Sequence, residues 1–470
     1  MRSTKRFAGV VLVMVAILMP AGSAAAGGGG SSHRGGAQNA VVRADVITEV
    51  TPLGWRVVAV AVEYRDRIDL GRDDIPASAF TVAATVNNVT ANRTVVDVYA
   101  NDAPELDRRG PRGTRGRYLI IELDPDDPNA GALVFSGGIN SPIPLVGAYA
   151  VTQNADVVDD RGRVRLRRLP FAITNQGVIN PIVDDFLSLS YTDSAGTRLN
   201  FRLFQPQGRP ERRRDGFPLV VFLHGGGERG PNNITQITAN QGAVAFAKPE
   251  RQATDPSYVL APQVPVGSSW TTPAIQAALL ELVDQVAASF PIDEDRLLLT
   301  GLSLGGIGSF DILPKHPDLF AGALLIAATG DPSRMPLMSD VPVWATHSID
   351  DPVVNYTTGT LALMNALDAA GATVTRGQWA GNLPEPAAEA EALRLWRQAE
   401  ANDSHVLFTT YTAGTTPVSA HWSWVPTYLN DVMIDWLYSQ DLQNRPTATA
   451  AFARSPASWH GLAGAATAGR

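Results

Sequence analysis

The sequence predicts an α/β protein, a doubly wound, mostly parallel sheet over residues 182–440, preceded by a small all-β sandwich over residues 40–175. Three observations carry that expectation. Short alternating or β-branched runs separated by turn-rich pieces fill the first region, without a helical stretch of convincing length. Beyond Pro181, strand-like runs alternate with helix-like ones. At 470 residues the chain exceeds one ordinary core, which fits two folded units with non-globular ends.

Taken in order, MRSTKR is basic, and the run from Phe7 to Met19 is almost wholly apolar before Pro20 and the small residues AGSAAA. That order is expected of a secretory signal peptide, residues 1–26, cut near Ala26. A membrane anchor is the alternative, but the run is shorter than the ~20 residues a span needs. GGGGSSHRGGAQ within residues 27–39 reads as a Gly/Ser-rich linker. The runs VVRADVITEV, WRVVAVAVEY, FTVAATVNNVT, RTVVDVYA, RYLIIEL and GAYAVTQNADVV then supply the strands of the sandwich.

In the second region LSLSYT and LNFRLFQP open the sheet as an antiparallel pair, and PLVVFLH, SYVLAPQ, RLLLTG, GALLIAAT and PVWATHS continue it. AIQAALLELVDQVAASF, the segment after Ser303 and TGTLALMNALDAAG are the intervening helices. Asn382 to Ser404 reads as a helical insertion before the last strand, VLFTTY, able to cover a site beneath it. YLNDVMIDWLYSQ is a terminal helix, and residues 441–470 are Ala/Pro/Gly-rich and expected to be disordered.

Composition excludes several chemistries. The chain has no cysteine, so disulfides, thiol catalysis, Cys-based metal sites and a Cys-linked lipid anchor are ruled out. A net charge of -8 argues against nucleic acid as a partner. The locally basic stretches, Glu211 to Arg214 and Asp107 to Arg117, read as solvated loops because Gly, Pro and Asp accompany them. The mature chain is expected to be soluble, outside the cytoplasm and free of the membrane.

The chemistry starts at Gly301-Leu302-Ser303-Leu304-Gly305. G-x-S-x-G is a weak motif alone, and a glycine-rich β-to-α connection is the bland reading. Here it follows the apolar RLLLT and precedes a helix-like run, the strand, turn and helix that present a nucleophilic serine in α/β-hydrolases. The Leu304 amide and the helix N-terminus then face the oxyanion. A second donor is expected after PLVVFLH, where Gly225, Gly226 and Gly227 let the backbone turn its amides inward. Gly226 is the assignment, with Gly227 next, and His224 orders the loop. A phosphate loop is excluded because no Lys-Ser/Thr follows the glycines.

A serine needs a base, and in this fold the order along the chain is Ser, acid, His. After Ser303 come His316, His347, His405, His421 and His460. His316 lies in the helix after the elbow, His347 ends the strand that presents the acid, His405 precedes VLFTTY at the wrong end of the sheet, and His460 is in the tail. His421 remains, in the loop after VLFTTY. The acid belongs at the end of VPVWATHS, where Asp350 and Asp351 adjoin. Asp351 is preferred, with Asp350 the alternative, and its role is to hold the His421 tautomer.

HGGGERG, GLSLGG, HSIDDPVV and HWSW, in that order, resemble secreted esterases of the α/β-hydrolase superfamily that carry an N-terminal immunoglobulin-like domain. That group is related to polyhydroxybutyrate depolymerase-like and prolyl-oligopeptidase-like hydrolases. The resemblance covers Val183 to Gln440 by motif and the β-rich region by architecture; the acid turn departs from the usual D-x-V-V-P in having Asn355 after Val354. It implies hydrolysis of small or polymeric carboxylic esters through an acyl-enzyme, with Ser303, His421 and Asp351 as triad, the amides of Gly226 and Leu304 as oxyanion hole, and no metal or cofactor. Trp270, Trp422 and Trp424 are candidates for the substrate pocket, or else packing. The rivals are a prolyl-oligopeptidase-like serine peptidase and a non-catalytic binding or surface protein. The β domain is expected to be accessory, positioning a polymer or packing beside the cleft.

Overall fold

The computed structural model describes residues 41–71, 75–107, 112–159, 161–207 and 216–445. The expected signal peptide and linker, His460, the basic run Glu211 to Arg214 and part of Asp107 to Arg117 lie outside them. Two sheets build the N-terminal region. One carries Gly177–Ile179, Val41–Thr51, Gly54–Asp69, Arg115–Leu123 and Val95–Asn101 side by side, and the other Ile173–Thr174, Tyr149–Gln153, Phe80–Val86 and Val89–Arg93. Alternation along each strand sends one face inward, so Val60, Val62, Leu119 and Ile121 of the first sheet meet Val82, Ala84 and Val151 of the second in one core.

FTVAATVNNVT is two strands rather than one, because Asn87 and Asn88 adopt φ of 51° and 63° and turn the chain into a hairpin. Ile173–Thr174 and Gly177–Ile179 still pair within this region, so it runs to residue 179 rather than 175. A hairpin absent from the sequence reading, Leu133–Ser136 with Ile139–Pro142, turns at Gly137 and Gly138.

The C-terminal region holds one sheet of nine strands. In chain order they are β1 (Leu187–Thr192), β2 (Arg198–Phe204), β3 (Phe217–Leu223), β4 (Tyr258–Gln263), β5 (Ile292–Leu302), β6 (Gly322–Ile326), β7 (Val343–Ser348), β8 (Val374–Trp379) and β9 (Val406–Tyr411). Their spatial order is β1-β2-β4-β3-β5-β6-β7-β9-β8. β1 and β2 are antiparallel, as is β2 against β4, and the remaining pairs are parallel. The central strands are buried on both faces, which is why they read as unbroken apolar runs.

Helices cover both faces. On one, α1 (Pro273–Ser289) buries Ile275, Leu279, Leu282 and Val286 at helical spacing, alongside α2 (Leu304–Ile312) and α3 (Thr360–Ala369). On the other lie α4 (Glu385–Ala401) and α5 (Asp431–Tyr438). α4 corrects the expected insertion. It is the crossover helix between β8 and β9, and it buries Ala392, Leu395 and Ala399 with Trp379 and Trp436 rather than covering a site. VTRGQW is a full strand of the sheet, missed because Arg376 and Gln378 interrupt its apolar pattern at an edge. The tail also begins later than residue 441: Leu442–Asn444 form a 3-10 turn, and the Arg445 guanidinium donates to the carbonyls of Pro317 and Phe320.

Arg93 ties the two N-terminal sheets together. Its side chain is fully buried, and it donates to Asp127 Oδ2 (2.8 Å), Tyr149 Oη (3.1 Å) and the carbonyls of Val57 (3.1 Å) and Asp124 (2.7 Å). Arg93→Leu strands these acceptors, so the N-terminal region should lose about 3 kcal/mol. Thermal unfolding followed by circular dichroism checks this; an unchanged melting curve contradicts it.

Candidate active site

The carboxyl ends of β3, β5 and β7 and the loop after β9 converge on Ser303. β5 ends at Leu302 and α2 begins at Leu304, leaving the serine alone on the turn with φ 50° and ψ -116°. This left-handed backbone is strained for a residue with a Cβ, and neighbouring glycines make the turn possible. A Cβ on Gly305 would sit 1.8 Å from Leu223 O, and one on Gly301 would sit 2.8 Å from the Gly305 carbonyl. The Ser303 amide donates to Ile326 O at 2.9 Å, which pins the turn to β6.

His421 Nε2 lies 3.0 Å from Ser303 Oγ, and His421 Nδ1 lies 2.7 Å from Asp351 Oδ2. The imidazole is held edge-on by Trp424 at 5.2 Å between ring centroids, and Trp422 stacks on Trp424 at 5.5 Å. Asp351 Oδ1 accepts the amides of Val353 (2.8 Å) and Val354 (3.0 Å). Burial would raise this carboxyl, but hydrogen bonds from His347, His421 and the Val354 amide hold it well below the usual carboxylate range. Asp350 points away, its Oδ2 accepting the Gly414 amide at 2.8 Å, so the two neighbours face different loops.

Beyond β3 the glycine-rich loop forms a 3-10 turn, Gly226–Glu228. Gly225 faces the elbow, since a Cβ there would stand 3.7 Å from Ser303 Cβ. Gly226 is open apart from Arg229, whose Nε donates to Gly226 O at 2.9 Å. Gly227 faces the N-terminal hairpin: Asn140 Nδ2 donates to Gly227 O at 3.3 Å, and Phe135 stands beside it. His224 is fully buried, accepts the Val264 amide on Nε2 at 3.0 Å, and is lowered to about 4 by burial, so it is an uncharged loop anchor.

Trp270 is corrected. It is wholly buried under the loop, donates Nε1–H to His224 O at 2.9 Å and packs against Gly308, so it lines no pocket. Trp422 and Trp424 lie beside His421, where Trp424 supports the ring. His405 bonds Ser339 O at the opposite end of the sheet, and His316 lies beyond α2. Sequence reasoning missed the reach of the hairpin, although Gly137-Gly138 between two apolar runs is a hairpin signal. It also missed Glu228, which the motif HGGGERG does not single out.

Glu228 is buried behind this loop, and a Gly225 Cβ would sit 2.9 Å from its Oε2. Burial raises its carboxyl from 4.5 to about 7, with Asn240 and the amides of Glu228 and Gly225 offsetting part of the effect. The folded protein therefore holds a proton that the unfolded chain releases near 4.5, and stability falls as pH rises from there through 7. Glu228→Gln removes this titration. The stability of the variant relative to wild type should rise by about 3 kcal/mol between pH 4 and pH 8; parallel urea-unfolding curves across that range contradict the assignment.

Two family models match the chain: the Esterase Ig-like N-terminal domain over residues 43–165 and the Esterase domain over residues 193–379. A thermostable esterase of known structure is 32% identical and superimposes with a TM-score of 0.72, covering 85% of this chain and 100% of its own. Poly(3-hydroxyalkanoate) depolymerase C of Paucimonas lemoignei is 30% identical over 143 residues, 27% of this chain, and the match spans only 31% of that relative's length. The all-β region followed by an α/β-hydrolase sheet thus has a counterpart over the whole of a known esterase, and the chain belongs to the family of carboxylic ester hydrolases that carry an immunoglobulin-like N-terminal domain.

Proposed function

We propose that the chain is an exported serine esterase that cleaves carboxylic esters, small or polymeric, through a Ser303–His421–Asp351 triad. The observation that carries this reading is the continuous bond path from Ser303 Oγ to His421 Nε2 (3.0 Å) and from His421 Nδ1 to Asp351 Oδ2 (2.7 Å). Export rests on the basic and then apolar N-terminus. No helix among the described residues is long and apolar enough to cross a membrane.

In this mechanism His421 Nε2 takes the Ser303 proton as Oγ attacks the ester carbonyl. The amides of Leu304 and Gly226 receive the oxyanion, aided by the N-terminus of α2. The imidazolium then protonates the leaving alcohol, and the acyl-enzyme forms. Water, deprotonated by His421, attacks in turn and releases the acid and Ser303. Asp351 remains ionised throughout: its hydrogen bonds hold its proton affinity far below that of an imidazole.

A fluorophosphonate probe should label the protein, and Ser303→Ala should abolish labelling. Asp351→Asn is expected to lower kcat by about 10⁴-fold by presenting the wrong histidine tautomer, while Asp350→Asn leaves turnover near wild type. Labelling that survives Ser303→Ala overturns the mechanism, and the reverse order of the two aspartate variants overturns the choice of acid. Faster cleavage of peptide anilides than of nitrophenyl esters would mark a peptidase instead.

A further inference from the structure

Resting on the triad reading above, we propose that His347 is a positioning residue of the active site, a second histidine that donates to the same carboxylate oxygen of Asp351 as His421 does. His347 is the penultimate residue of β7, four residues before Asp351, and it is fully buried. Its Nε2 lies 3.1 Å from Asp351 Oδ2 and 3.0 Å from Val354 O. Both are acceptors only, one an ionised carboxylate and the other a carbonyl, so Nε2 carries the ring proton. On the far side Nδ1, left as an acceptor, lies 2.8 Å from Thr360 Oγ1 at the start of α3, whose single hydroxyl proton is shared between Nδ1 and the carbonyl of Ala328, also at 2.8 Å. The edge of Tyr356 closes the pocket at 5.8 Å between ring centroids.

The consequence is a saturated acid. Asp351 receives the two imidazoles on Oδ2 and the amides of Val353 and Val354 on Oδ1, and no lone-pair direction is left to rotate towards. His347 therefore fixes the carboxylate plane that His421 must meet. By sharing Oδ2 it also weakens the acceptor presented to His421. A buried histidine with a purely packing role has no reason to place an N–H on the triad acid while its other nitrogen is held by a helix N-terminal hydroxyl.

Removing the donor has two separable effects. Asp351 gains freedom, so kcat falls while KM holds; a misaligned triad costs about 10- to 100-fold. Asp351 Oδ2 also becomes a stronger acceptor for His421, so the acid limb of kcat/KM moves to higher pH. The test compares His347→Leu, which lacks a donor, with His347→Gln, whose side-chain amide keeps one, using nitrophenyl ester hydrolysis across the pH range and near-ultraviolet circular dichroism as the folding control. The Leu variant should show both effects, and the Gln variant should recover most of kcat and return the limb towards wild type. A folded Leu variant with wild-type kcat and limb overturns the proposal, as does a Gln variant no better than Leu. If the Leu variant fails to fold, Thr360→Val decides: loss of the hydroxyl that holds Nδ1 should lower kcat and shift the limb in the same direction, and an unmoved limb overturns the proposal. Ser303→Ala separates the two levels. Activity retained in that variant means the triad reading itself fails, whereas an inactive Ser303→Ala beside unaffected His347 variants means only this inference does.

Discussion

The carboxylate of Asp351 is the constraint on which the site depends. A buried carboxylate is costly unless donors replace the water it has lost. Here the strand end supplies His347, the Asp351-Pro352 turn supplies the amides of Val353 and Val354, and the loop after β9 supplies His421. Each donor comes from a different piece of backbone, so the ion can be satisfied only if β7, the acid turn and the His421 loop are all in place. In turn, Trp424 and Trp422 brace the imidazole that points to Ser303.

On the other side of Ser303 the constraint is steric. The elbow and the glycine-rich loop approach so closely that Gly305 has room for no side chain against Leu223 O, and Gly225 faces both Ser303 and Glu228. The rear of that loop is held by His224, Trp270 and Glu228, all inside the fold. Its front is held by Asn140 of the N-terminal hairpin. The immunoglobulin-like region therefore does more than precede the α/β sheet in the chain, since it touches the very loop that faces Ser303.

Much of this architecture was legible in the residues. The buried parallel strands announce themselves as apolar runs, and the two-domain order follows from the change in periodicity at Pro181. The motif singles out Ser303 and the glycines, and chain order singles out His421; in the structure His421 Nε2 lies 3.0 Å from Ser303 Oγ. What was missed has physical reasons. β8 is an edge strand whose Arg376 and Gln378 break its pattern, so α4 looked like an insertion. Trp270 looked like a pocket residue because an indole near a loop is ambiguous until its Nε1–H is seen satisfied by His224 O. In the sequence His347 reads as a strand terminus, since only the three-dimensional turn brings a residue four positions earlier onto the acid it precedes.

The central claim is that Asp351 is an ionised hub receiving both histidines on one oxygen. Neutron diffraction from a deuterium-exchanged crystal near neutral pH tests it most directly. The account predicts a deuteron on His347 Nε2 and another on His421 Nδ1, both directed at Asp351 Oδ2, with none on the carboxylate. A deuteron on Asp351, or a bare His347 Nε2, would contradict it.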